Sequence, residues 1–384
     1  MTRRAVFLLP AGLALLAGLD AGLLLLGLPA PVTTARLPLV HGMLMTLGFV
    51  GTVIALERAV ALRRAWGFLA PVLLGLGGVA LLSPLPLAAG QGLLVAGTGS
   101  LVALYVPLWR RARDDSVVVQ LLGAVLALGA ALQWWGGAAM PDVVPWLAAF
   151  VVTTIAGERL ELARVAMLGA RAEGSVLTLC LAIAGACVAT TLWPTAGYPL
   201  LGAALLALCG WLAVHDVARR TVRSTGLPRY MAWSLLAAYA WLATAGLVWL
   251  LGGRQSSGPG YDAVLHSVFL GFTISMIMAH APVILPAVLR VRLPYHPAMY
   301  VPVVVLHVTL LVRVAVGDAR GLATIVQVGG VGNVVAVLLL VVTMVAAGVR
   351  GRTRAPAVPP PPAGPTEGAA SPAPASTATE DALR

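Results

Sequence analysis

The sequence predicts an all-α membrane protein, a polytopic bundle of about twelve transmembrane helices arranged as three pseudo-equivalent four-helix units. Three observations support this. Hydrophobic residues make up 60% of the 384 residues and charged residues 10%, against roughly half and a quarter in soluble domains, and the mean hydropathy is +0.94. Apolar runs of about 20 residues, the length that crosses a bilayer, recur along the chain. The basic residues, all arginine with no lysine, fall on alternate sides of those runs.

Taken in order, the runs occupy roughly 5–28, 38–62, 67–85, 90–109, 116–135, 143–165, 175–192, 198–215, 229–251, 262–289, 298–316 and 322–349, separated by charged or Pro/Gly breaks. The first follows Met1-Thr2-Arg3-Arg4. Its apolar part is about 24 residues, longer than a signal-peptide core, and no clean Ala-x-Ala site follows, so it reads as a retained helix. The third and fourth runs are parted only by Ser83, Pro84, Pro86 and Gly90. Residues 1–350 thus form a transmembrane domain, and 351–384 a Pro/Ala-rich cytoplasmic tail. From Ala355 onward (APAVPPPPAGPTEGAASPAPASTATEDALR) the composition cannot bury a core and predicts disorder.

With a cytoplasmic N-terminus, the inner side receives Arg3, Arg4, Arg63, Arg64, Arg110, Arg111, Arg113, Arg171, Arg219, Arg220, Arg223, Arg290, Arg292, Arg350, Arg352 and Arg354. The outer side receives Arg36, Arg254 and Arg320. This bias predicts an even number of spans, an inner-membrane location and cytoplasmic termini. The net charge of +11 is then a topology signal, and no soluble domain is present to offer nucleic acid a basic surface. Cys180, Cys187 and Cys209 fall within spans and read as buried free thiols.

An internal repeat links three spans. Phe49-Val50-Gly51-Thr52-Val53-Ile54-Ala55-Leu56-Glu57-Arg58 aligns without a gap on Phe150-Val151-Val152-Thr153-Thr154-Ile155-Ala156-Gly157-Glu158-Arg159, and Arg63 falls on Arg164. A weaker copy, Gly271 to His280, matches Gly48 to Glu57 and puts a histidine in the glutamate position. Spans two, six and ten are thereby equivalent helices around an axis normal to the membrane. Carboxylates at membrane depth are costly unless paired. Glu57, Arg58, Glu158, Arg159, Glu161 and Arg164 therefore read as interfacial ion pairs, as a proton entry or as a network locking the bundle. The i, i+3 spacing of Glu158, Glu161 and Arg164 favours the network.

Ionisable groups inside spans are functional candidates. His41 and His266 lie a few residues inside spans two and ten, both running inward from the outer face, at a shared depth of roughly 5 Å. Two imidazoles so placed suit axial ligation of haem iron between apolar helices; the alternative is a pair of histidines wetted by the interface or bonded to carbonyls. His280, about 21 Å farther along on nearly the same face, and His307, in span eleven with Arg313 two turns outward, are further candidate metal ligands, with a satisfied core histidine the competing reading for His307. Pro282 and Pro286 are expected to bend span ten and free backbone carbonyls. His215 and His296 read as solvated. No hydrolase, P-loop, dinucleotide or zinc spacing occurs, and without Cys-x-x-Cys-His any haem would be non-covalent and b-type.

Twelve spans in three units, with histidines at the outer ends of spans two and ten, resemble the haem-copper oxidase catalytic subunit. The likeness is closest to NnrS-like membrane proteins, through His41-Gly42-Met43-Leu44-Met45-Thr46-Leu47-Gly48-Phe49. The resemblance implies a low-spin haem between His41 and His266, and a redox or nitric-oxide-response role with a small gas and an electron donor as partners. It also brings copper, for which this chain has no motif. The oxygen-reducing site of the oxidases needs histidines in spans six and seven and a His-x-His in span ten. Here Glu158 stands in span six and His266-Ser267-Val268 in span ten, so oxygen reduction is not expected. Two rival readings are a cofactor-free transporter or channel, suggested by the repeats and the proline-broken span ten, and a membrane scaffold or assembly factor.

Overall fold

The computed structural model describes residues 3–164 and 170–353, without the side chains of 3, 163–173 and 352–353; the tail expected from Ala355 lies outside the described residues. Every regular element among the described residues is helical, and none is a strand. Twelve helices are long and apolar enough to cross a membrane: α1 Arg4–Leu25, α2 Arg36–Leu62, α3 Ala65–Leu82, α4 Leu87–Ala112, α5 Asp115–Trp135, α6 Met140–Leu162, α7 Gly174–Leu192, α8 Pro194–His215, α9 Gly226–Gly252, α10 Gly258–Leu289, α11 Pro297–Asp318 and α12 Ala323–Gly351. The doubtful break between the third and fourth spans is a real one, at Ser83–Pro86. α2 and α10 begin earlier than hydropathy suggests, because polar first turns at Arg36 and Gly258–Asp262 extend the apolar runs.

Chain neighbours pack on one another within each unit, α4 packs on α5 and α8 on α9 between units, and α1 meets α12 to close the ring. α2, α6 and α10 are the innermost helices. Their most apolar stretches are 61%, 78% and 67% buried, and no other span exceeds 56%. α10 touches both α2 and α6, so the second helix of each unit faces the centre. The outer helices turn apolar side chains away from the bundle, as α12 does with Val328, Val335, Val342 and Val345. Such a surface suits lipid, where no water remains to penalise it. Cys180, Cys187 and Cys209 are buried and unpaired.

The repeat reappears in the backbone. Leu44–Gly51 in α2 and Ser267–Ile274 in α10 are π-helical, and the register that lays Gly48 on Gly271 also lays Leu44 on Ser267 and Gly51 on Ile274. The equivalent stretch of α6, Pro145 to Val152, stays α-helical. In a π turn the bonds run i→i+5; Thr273 Oγ1 also donates across five residues to the Val268 carbonyl at 2.9 Å. This widened turn breaks the 3.6-residue period between His266 and His280, so the expectation that both share one face fails. Close crossing of α2 and α3 depends on absent side chains: a Cβ on Gly78 would lie 3.3 Å from the Gly48 Cα.

Pro282 and Pro286 both sit inside the helix Ser275–Leu289. Pro282 has no N–H for the Met278 carbonyl one turn earlier, and the buried hydroxyl of Tyr230 in α9 donates to that carbonyl at 2.9 Å. The proline is tolerated because a neighbouring helix satisfies the group it orphans. Tyr230→Phe removes this donor at nearly constant volume and should cost about 1 kcal/mol, read as a lower Tm of the detergent-solubilised protein. An unchanged Tm would show that the carbonyl needs no donor.

Candidate functional site

His41 and His266 lie at the end of the bundle opposite the arginine-rich connections. His41 and His266 are near enough for their charges to interact, and His41 also feels Arg313. His41 Nδ1 lies 2.9 Å from the Gly18 carbonyl of α1, and His266 Nδ1 lies 2.9 Å from the Asp262 carbonyl one turn earlier. A carbonyl oxygen only accepts, so in each ring the proton sits on Nδ1 and the Nε2 lone pair is free. Both side chains are partly buried, each just ahead of its π-helical segment.

Asp262 does more than hold one ring. Its Oδ1 is 3.2 Å from His266 Nδ1, and Arg313 of α11 grips the same carboxylate with Nε–Oδ2 at 2.8 Å and Nη2–Oδ1 at 2.7 Å. The bidentate pair is the strong form of an ion pair and ties α11 to α10 beside His266. Arg313 begins the last turns of α11, where Val312–Asp318 is also π-helical. Asp318 lies against Asp262, with its Oδ2 buried and without a partner. Asp262 was legible as Asp-x-x-x-His at i, i+4, a spacing that puts both on one helix face; hydropathy left it, like Asp318, at a span edge.

The other two candidate ligands are committed elsewhere. His280 Nδ1 donates to the Met276 carbonyl at 2.7 Å, and its Nε2 accepts from Arg159 Nη1 at 3.1 Å. His307 is the opposite tautomer: Nδ1 accepts from the Trp241 indole at 2.9 Å, so Nε2 carries the proton, 3.4 Å from Ser275 Oγ. Neither ring offers a free lone pair in this arrangement. His215 stacks on Trp211, with ring centroids 4.6 Å apart, and only His296 is exposed.

The Glu-Arg ends form two networks. Arg58 pairs with its neighbour Glu57, donates to Gln120 Oε1 at 2.9 Å and reaches Glu161 at 3.7 Å; Glu158 feels the charges of Glu57, Arg58, Glu161 and Arg159. Arg159 turns the other way and takes Asp216 in a bidentate pair, both distances 2.7 Å. Tyr239 donates to the same carboxylate at 2.6 Å and the Ala218 N–H at 2.7 Å. Glu158 and Arg159 are therefore not partners, despite adjacency. The Arg164 side chain lies outside the described residues.

Among the described residues, no three His, Cys, Asp or Glu side chains cluster as they would around a bare metal ion.

Comparison with known proteins returns one family, a domain of unknown function (DUF8744), matched over residues 4–349. The chain belongs to this family. No curated protein and no solved structure matches it. The matched region of the family ends with α12, so everything described at both ends of the bundle lies within it.

Asp216, one residue beyond α8, supplies the pH test. Burial pushes its carboxyl up, but the hydrogen bonds and charge of Arg159, with the Tyr239 and Ala218 donors, outweigh this and hold it below the ordinary carboxylate range. Its stabilisation is therefore full above the ordinary aspartate pKa and is lost as pH falls through the lowered folded value. Asp216→Asn should strand the Arg159 guanidinium and destabilise by about 3–5 kcal/mol, seen as a large drop in Tm at neutral pH. Pairing it with Arg159→Met should recover most of that loss. A double variant no better than the single one would contradict the assignment.

Proposed function

We propose that this chain is a haem-binding membrane protein with a redox role, in which His41 and His266 ligate one iron through their Nε2 atoms. The observation that carries the reading is the matched tautomer of the two rings. Each donates Nδ1–H to a backbone carbonyl and leaves Nε2 free, in α2 and α10, within electrostatic reach of one another. Bound haem would supply a one-electron couple whose potential follows axial ligand basicity and surrounding charge.

The chain's own residues set those quantities. The Gly18 and Asp262 carbonyls fix ring orientation, and hydrogen bonding at Nδ1 raises the donor strength of Nε2. Asp262 adds negative charge at His266, offset by Arg313. The apolar walls of α2 and α10, with Phe49, Phe269 and Phe272 following the histidines, suit a macrocycle. If His41 and His266 both hold the iron, electron transfer is favoured over gas binding, and a nitric-oxide response would require one of them to release it. The resemblance to NnrS-like proteins agrees with this role. The arginine bias supports an inner-membrane location with both termini cytoplasmic, which would put the site near the outer face, where an electron donor would meet it.

Purified protein expressed with ample haem should show a Soret band, lost in both His41→Ala and His266→Ala and retained in His307→Ala. A colourless, folded wild-type protein would refute the reading.

A further inference from the structure

At the arginine-rich end, a cavity of about 990 Å³ opens between α1, α2, α3, α4 and α10, and Arg4, Arg63, Arg64, Arg111 and Arg290 line it with Phe68. No carboxylate is among its lining residues, so five guanidinium groups converge on one concavity without an internal counter-charge. Two are built in: Arg4 Nη1 donates to the Val288 carbonyl of α10 at 3.2 Å, and Arg111 Nη2 to the Ala61 carbonyl of α2 at 3.1 Å. These bonds hold the guanidinium groups across helix junctions.

Arg63 and Arg290 end α2 and α10 in the left-handed region, at φ 59° and 55°. Arg113 ends α4 in the same way, at φ 52°, outside the cavity, so the conformation belongs to the helix ends, where it is common. Arg63 and Arg290 cap equivalent helices of the repeat and both face the cavity.

We propose that this cavity binds the phosphate groups of a polyanionic ligand. Guanidinium groups pair with phosphate oxygens in a planar, bidentate way that lysine does not match. A basic pocket between helix ends, with Arg63, Arg64 and Arg290 one or two residues past the apolar spans and Arg4 and Arg111 in their terminal turns, sits at the level of lipid phosphates. The cavity volume is at the upper end of the usual small-ligand range, room for two phosphates and part of what links them. The same chemistry accepts the head group of an anionic phospholipid or a soluble diphosphate.

The test uses full-length protein in neutral detergent, stripped of lipid, with thermal stability titrated by cardiolipin, by phosphatidylcholine and by inorganic pyrophosphate at fixed ionic strength. Cardiolipin or pyrophosphate should raise Tm and phosphatidylcholine should not. Response to cardiolipin alone identifies a membrane ligand, to pyrophosphate alone a soluble one, and to both a site open to either. Arg63→Asn/Arg290→Asn, chosen because Asn tolerates the left-handed backbone, should weaken the apparent affinity about tenfold or more. Arg64→Gln should weaken it less and serves if the double variant does not fold. Arg220→Gln, exposed at the same end but outside the cavity, should leave it unchanged. No stabilisation by either anion, or an equal loss in Arg220→Gln, overturns the proposal.

Discussion

A guanidinium at the centre of an apolar bundle has to bring its counter-charge and hydrogen-bond acceptors with it, and Arg159 is where that constraint acts most strongly. Three of its five donors are met by Asp216 and His280, so α6, α10 and the connection after α8 cannot separate without stranding a buried charge. Arg58 obeys the same rule one unit earlier, reaching from α2 to Gln120 of α5 and Glu161 of α6. In both cases the arginine of one repeat reaches into the next unit. The third copy has Ala281 at this position, and its histidine instead becomes the acceptor for Arg159. The repeat therefore describes a direction of bonding around the ring as well as a likeness of helices.

Protonation of the histidines follows from their neighbours in the same way. Carbonyls at Gly18, Asp262 and Met276 force the proton onto Nδ1, whereas the Trp241 indole forces it onto Nε2 of His307. Of the four rings with Nδ1 on a backbone carbonyl, His280 spends its Nε2 on Arg159, and His215, bonded to the Trp211 carbonyl and stacked on that ring, lies at the opposite end of the bundle. His41 and His266 keep Nε2 available where α2 and α10 pass into π-helical turns at matching register. Widened turns in both helices reorient everything that follows, which separates the histidine end of each helix from its charged end.

Much of this was legible in the sequence. The twelve spans followed from hydropathy because lipid admits few alternatives to a helix, and the gapless match of Phe49–Arg58 on Phe150–Arg159 marked the inner helices before any packing was known. That His41 and His266 lie near enough to feel one another's charge followed from shared depth. Partner choice was not legible: Glu158 and Arg159 are adjacent, yet adjacent helical residues point apart, and Arg159 found Asp216 across 57 residues of chain. The π turns were hidden too, since nothing in Leu44–Gly51 or Ser267–Ile274 departs from an ordinary apolar helix. His280 and His307 had the chemistry of ligands, and only their neighbours show how that chemistry is occupied.

The claim that most depends on geometry is that two imidazoles meet one iron through Nε2. Pulsed electron paramagnetic resonance of the oxidised protein, grown with nitrogen-15 histidine, reads this directly. The account predicts a low-spin ferric signal with hyperfine coupling from two similar imidazole nitrogens. A high-spin signal, or coupling to a single imidazole, would contradict it.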